Sequence, residues 1–243
     1  MAIPILRFIL VYVIYAFICA ILVFISYGVL KRDIKDRLNQ FLSLFFLFIV
    51  FSLINNFIYA AISDPSLEYV ATYLHILSMY FVIVSAGFLL LFIILLYNPD
   101  SSFSSSKYQQ LFFLICYNII GIGSFFIPNG AKVEILSNGT QLYPVWSLAY
   151  FLFYLAIIVP NMIVSLIISI KIYKKFQIEA LAKRMRFFLI GLCCVYYMGL
   201  GVGLTNYLNI DILRYIFTLT QAIPIIGVIL IYYSVGISLR KQD

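Results

Sequence analysis

The chain has 243 residues, 65% of them hydrophobic and 10% charged, with a mean hydropathy of +1.09. Soluble domains average about 25% charged residues, so this composition excludes water as the main solvent. The length suits about seven short-linked membrane spans in one domain, 1–243, with no room for a second. The net charge of +7 falls mostly in one set of connections, which points to membrane topology and not to a nucleic-acid partner.

Seven apolar runs follow one another, at residues 5–30, 38–62, 69–97, 111–127, 145–172, 187–208 and 215–239. About 20 apolar residues at 1.5 Å each cross a hydrocarbon core of roughly 30 Å. Lipid forbids unpaired backbone, so each run predicts a helix. The fold class is therefore an all-α membrane protein, a seven-transmembrane helix bundle in the cell membrane. The first run exceeds the roughly 7–15-residue apolar core of a signal peptide and is expected to be retained.

Orientation follows from the basic residues. Thirteen of the 16 lysines and arginines lie in the connections after the first, third, fifth and seventh runs, against Arg7, Lys132 and Arg214 on the other side. The positive-inside rule puts the N-terminus outside and the C-terminus in the cytoplasm. Asn98-Pro99-Asp100 stops the third helix and a serine-rich linker, 101–106, follows. Lys174, Lys175, Lys183, Arg184 and Arg186 form the candidate docking face for an acidic cytoplasmic partner. The same charges also serve topology and attraction to anionic membrane lipids.

The longest outer connection is 129–144. Asn138-Gly139 between apolar-rich stretches predicts a type I′ turn, hence a small outer β-hairpin between helices 4 and 5. Asn138-Gly139-Thr140 is also a glycosylation acceptor pattern, although the turn already accounts for the Asn-Gly pair. Cys19, Cys116, Cys193 and Cys194 all lie within apolar runs. No disulfide framework is implied, and they are expected to be packing residues.

The third run, 69–97, contains no charged residue and holds the only histidine, His75. Its first half carries Thr72, Tyr73, His75, Ser78 and Tyr80; its second half is almost wholly apolar. The same asymmetry recurs elsewhere. In the second run Ser52, Asn55, Asn56, Tyr59 and Ser63 fall within an arc of about 100°. In the seventh, Arg214, Thr218 and Gln221 fall within about 60°. The fifth run opens with Tyr143, Trp146, Tyr150 and Tyr154, and the sixth closes with Thr205-Asn206-Tyr207. Polar groups in a span are costly unless partnered, so these faces should point inward.

The expectation is an outward-facing polar cavity. Asn55, Asn56, Tyr59, Thr72, His75, Tyr150, Asn206, Thr218 and Gln221 are the candidate ligand-binding residues. Interhelical hydrogen bonds without a ligand, each worth about 0.6–2 kcal/mol, are the competing account of the same residues. The inner halves are poor in amides, with Asn161, Ser165 and Ser169 the main exception. Pro160 and Pro224 near mid-helix predict kinks, and Gly199, Gly201 and Gly203 permit close helix approach. A lone histidine provides neither a metal site nor an acid–base pair, so no enzyme activity, metal or cofactor is expected.

A retinal protein is excluded, because no lysine lies between 215 and 239, and so are the motifs of eukaryotic G-protein-coupled receptors. The basic turn into Arg37-Leu-Asn-Gln-Phe-Leu-Ser-Leu-Phe45, the Asn-Gly turn before Tyr143-Pro-Val-Trp146, and the basic run before Phe187-Phe-Leu-Ile-Gly191 resemble another family. They are similar to the seven-helix sensor region at the N-terminus of some bacterial and archaeal histidine kinases. The resemblance implies ligand or membrane-state sensing. Only Arg240-Lys-Gln-Asp243 follow the last run, so output is expected from a separate cytoplasmic signalling protein. The rival readings are a non-catalytic subunit among other membrane subunits and, third, a small transporter. The absence of intramembrane carboxylates weighs against the transporter.

Overall fold

A computed structural model describes residues 9–137, 143–220 and 222–236 of the chain. Six helices are long and apolar enough to cross a membrane, and a bent pair makes a seventh crossing if counted as one span. They are α1 (Tyr15–Leu30), which follows a π-helical turn at Ile9–Ile14, α2 (Arg37–Ala60), α3 (Glu68–Tyr97), α4 (Lys107–Ile122), α5 (Leu148–Lys175) and α6 (Glu179–Leu208). The pair is α7 (Asp211–Leu219) and α8 (Ala222–Ile231), bent by 41° at the break. The chain is a multi-pass, all-α membrane protein.

Local chemistry sets the helix ends. The Asp36 carboxylate accepts from Leu38 N at the start of α2, and the Ser106 and Ser147 hydroxyls accept from Gln109 N and Tyr150 N at the starts of α4 and α5. Each satisfies one of the orphan donors of a first turn. α6 ends on Asn209 in the left-handed conformation, φ 53°, a common helix stop.

Two expectations change. The fifth helix starts at Leu148, not at 145, because Ser147 caps it and Val145–Trp146 form a strand. The seventh run is not one helix: it breaks around Thr220, and Pro224 is the third residue of α8 instead of a mid-helix kink. At that position the missing N–H leaves no intrahelical bond unmade. Pro160, by contrast, lies inside α5.

Two short strands pair antiparallel, β1 (Ala131–Lys132) with β2 (Val145–Trp146), Ala131 opposite Trp146. The Asn138-Gly139 turn falls outside the described residues. The end of the bundle bearing these strands is termed the sheet end. The opposite end, carrying the α1–α2 and α5–α6 connections, is the basic end.

α3 is the most buried of the six long helices. Of its 18-residue apolar window 72% is buried, against 17% in α4, which lies against the outside of α3. Six helices, α3 among them, form a ring in the order α1, α2, α3, α5, α6, α8. Arg32 on the α1–α2 turn closes it, with Nη1 donating to Val235 O (3.4 Å) and its guanidinium 5.5 Å over the Tyr232 ring. α6 and α8 touch backbone to backbone: a Cβ on Gly227 would lie 2.6 Å from Cys194 Cβ, and one on Gly191 would lie 2.7 Å from Gly227 O. Such contact supplies dispersion where lipid removes the hydrophobic drive between helices.

The half of the bundle toward the basic end is tightly packed. Phe46, Leu91, Ile93, Phe188 and Leu192 are all under 2% exposed. Serine pairs tie neighbouring helices: Ser26 Oγ and Ser43 Oγ are 2.6 Å apart between α1 and α2, and Ser52 and Ser78 are 2.9 Å apart between α2 and α3. Large apolar side chains such as Phe17, Phe24 and Leu152 stand exposed around the ring. In water they would form an untenable apolar patch; in lipid they face their own kind. The four cysteines are unbridged, and Cys193 is exposed instead of packed.

Candidate functional site

Toward the sheet end the ring does not close on itself. A cavity of about 160 Å³ lies between α1, α2, α3, α5, α6 and α7, against roughly 10–15 Å³ for one water on the same measure. Along α3 its wall runs from His75 to Leu89, fourteen residues or about 21 Å. The wall is graded. Asn56, Tyr59, His75, Asn206, Arg214 and Thr218 line it toward the sheet end, whereas Phe45, Ile49, Val82, Leu89, Ile158 and Val195 line it further in.

The connection between α4 and α5 covers the sheet end of this space. Tyr143 and Pro144 line the cavity. Long-range bonds hold the segment down. Trp146 Nε1 donates to His75 Nε2 (2.8 Å), Val133 N donates to Thr72 Oγ1 (3.0 Å), and Arg214 Nη2 donates to Pro144 O (2.9 Å). An indole N–H can only donate, so His75 Nε2 must be the bare nitrogen and the ring proton sits on Nδ1. His75 is 1% exposed, and Tyr59 presents its ring edge-on at 5.4 Å. Outside the cavity mouth, Lys132 pairs with Glu134 (2.8 Å) and Glu68 (3.7 Å), which hold its ammonium above the usual lysine range. Asp64, before α3, is held below the usual carboxylate range by the Ser66 hydroxyl and backbone N–H.

Five of the nine sequence candidates line the cavity: Asn56, Tyr59, His75, Asn206 and Thr218. Asn55 does not. It sits at the edge of the α2 polar arc, about 100° from Asn56, and its Nδ2 returns to Phe51 O of the same helix (2.8 Å). Thr72 is spent on Val133 N. Tyr150 is 1% exposed, stacked edge-on against Trp146 at 5.0 Å and packed over Gly130, where a Cβ would lie 2.7 Å from its ring. Gln221 lies outside the described residues.

Arg214, Tyr154 and Tyr196 also line the cavity and were not among the candidates. Arg214 is 9% exposed, with its guanidinium 4.9 Å from the Tyr143 ring; its i, i+4 relation to Thr218 was the available signal. Tyr154 and Tyr196 complete the wall. Tyr154 OH donates to Gly199 O (3.1 Å), and Tyr196 OH donates to Asn161 Oδ1 (2.5 Å). Asn161 in turn donates to Ala86 O (3.0 Å) and Tyr117 OH (2.6 Å), so one amide at the midpoint of α5 ties α3, α4 and α6 together. It is a central hub, not an inner-half exception.

At the basic end, four of the five residues expected to form a docking face, Lys174, Lys175, Lys183 and Arg186, are exposed. Lys175 Nζ lies 4.0 Å from the Tyr97 ring centroid and the Arg186 guanidinium 5.7 Å from that of Tyr173. Arg184 is half-buried and engaged within the chain. Cation–π contacts at exposed sites are worth about 0.5–1 kcal/mol, so part of this charge is turned onto the bundle. Among the described residues, no three His, Cys, Asp or Glu side chains converge as a metal site would require. No protein-family model matches this chain, and none of the curated proteins matches it.

Proposed function

We propose that this chain is a seven-helix sensor or receptor-like membrane protein, with its sheet end and N-terminus outside and its basic end in the cytoplasm. It binds a small ligand in the central cavity and acts through a separate cytoplasmic partner; it performs no catalysis of its own. The observation that carries the reading is a cavity of about 160 Å³ walled by six helices, polar toward one end and sealed from the other by packed apolar side chains. Convergent polar groups in a largely apolar pocket are the usual form of a small-molecule site. The 13-to-3 division of basic residues supports the orientation. The Asn161 hub offers a route for the signal: Tyr196 touches both cavity and hub, so a guest that moves Tyr196 shifts α5 against α6. The likeness to histidine-kinase sensor regions points the same way.

The test is purification in mild detergent followed by native mass spectrometry, for the wild type and for Val202→Phe, which fills part of the cavity. Retention of a small molecule by the wild type and its loss from the variant is the expected result. An empty cavity, together with stoichiometric protein partners, would replace this reading with that of a non-catalytic complex subunit. Cysteine labelling from each side of intact cells tests the orientation.

A further inference from the structure

The chemical class of the guest can be read from the cavity wall; this inference rests on the proposed ligand-binding reading. We propose that the cavity takes a single-chain anionic amphiphile, with a carboxylate or phosphate head at Arg214 and an apolar chain running inward toward Leu89 and Val195.

The first ground is charge. Arg214 is a buried cation on the wall, and no Asp or Glu is among the described lining residues. An ionisable side chain inside a membrane bundle is costly and points to function. Low local dielectric strengthens its attraction for an anion. The second ground is order. The guanidinium is fixed by its bond to Pro144 O and by stacking on Tyr143. A guanidinium held in one orientation can offer paired N–H donors to a carboxylate or phosphate. The amide of Asn206 supplies a further donor on the same wall.

The third ground is gradation along the bundle axis. Beyond the polar mouth the wall turns to Phe45, Ile49, Val82, Leu89 and Ile158. The wall spans about 21 Å from His75 to Leu89, long enough for one extended medium-length chain, and about 160 Å³ is too little for a two-chain lipid. A purely polar solute would leave the deep half unfilled, and a neutral hydrocarbon would leave the cation without an anionic partner from the guest.

Trp146 is the only tryptophan in the chain and bonds to His75 on the cavity wall, so its fluorescence reports occupancy. The experiment titrates the protein, in phosphatidylcholine nanodiscs, with dodecanoate, a single-chain lysophosphatidate and dodecanol. Both anions should bind more tightly than dodecanol by roughly tenfold or more, the scale of one charge-assisted bond. The tighter of the two identifies a free fatty acid or a lipid-derived phosphate as the source. Arg214→Gln should erase the preference while leaving dodecanol binding in place; Arg214→Lys should keep most of it. Equal affinity of all three for the wild type overturns the anionic assignment but leaves the cavity reading standing. Should Arg214→Gln fail to fold, the wild-type comparison still decides. Leu89→Trp, at the tail end, should weaken all three alike. Failure of every probe, with no native ligand by mass spectrometry, overturns both readings.

Discussion

The two halves of this bundle use the same helices in opposite ways. Toward the basic end α2 and α3 carry Phe46, Leu91 and Ile93 with essentially no exposed surface. Toward the sheet end the same two helices bring Asn56, Tyr59 and His75 to a cavity. The difference lies in what lipid tolerates. Apolar side chains can pack or face lipid at little cost, so one half settles by shape alone. Polar side chains must be gathered and bonded, and gathering them around a space leaves that space shaped and chemically specific.

The comparison makes quantitative predictions. The largest effect is expected in the packed half. Phe46→Ala should cost about 3–5 kcal/mol, because deleting a buried ring leaves a void that the neighbours cannot fill. Met79→Ala, on the cavity wall, should cost clearly less in the same denaturation series in mixed detergent. Equal losses would mean the two halves are equally packed. Next, Gly227→Ala should cost about 1–3 kcal/mol through overpacking, since its new methyl would meet Cys194 Cβ. Adding Cys194→Gly should recover part of the melting temperature.

The hub between the halves comes third. Asn161→Leu removes the donor to Tyr117 OH and one of two side-chain acceptors of Tyr196 OH, which keeps Ser165, and should cost about 1–3 kcal/mol. A double-mutant cycle with Tyr196→Phe should show coupling, and strict additivity would mean that the hub transmits nothing. At the mouth, Trp146→Phe should cost about 0.6–2 kcal/mol by removing the donor to His75. The smallest effect belongs to Lys132→Met, outside the membrane, which should leave the melting temperature unchanged at neutral pH. Its ammonium is held above the usual lysine range by Glu134 and Glu68. Any stability it lends is therefore present below the ordinary lysine pKa, and fades only in strong alkali as pH rises through the raised value.

Much of this was legible from residues alone. The third run, free of charge and polar in only one half, proved to be the most buried of the six long helices. Ser52, Asn56 and Tyr59 recur at helical spacing, and they share the cavity wall. Asn55 belonged to the same polar arc and yet turned back to Phe51. Tyr150 and Thr72 carry the same chemistry as genuine wall residues, but they are committed to Trp146 and Val133. Arg214 counted in the sequence as one of three cations outside the basic connections, and only its place on one helical arc with Thr218 marked it as facing inward. The break before Pro224 was hidden because an apolar run reads the same whether its helix is continuous or interrupted.

Composition and periodicity by themselves determined the solvent, about seven crossings, the one-sided charge and the concentration of polar groups toward one end of the helices. The tertiary structure alone decided which of those groups meet a common space, that His75 accepts from Trp146, that Asn161 joins α3, α4, α5 and α6, and that Arg214 enters the cavity wall. The reason is geometric. A helical repeat of 3.6 residues fixes each side chain's direction about its own axis. The rotation of that axis against its neighbours is chosen by the packing of every helix at once.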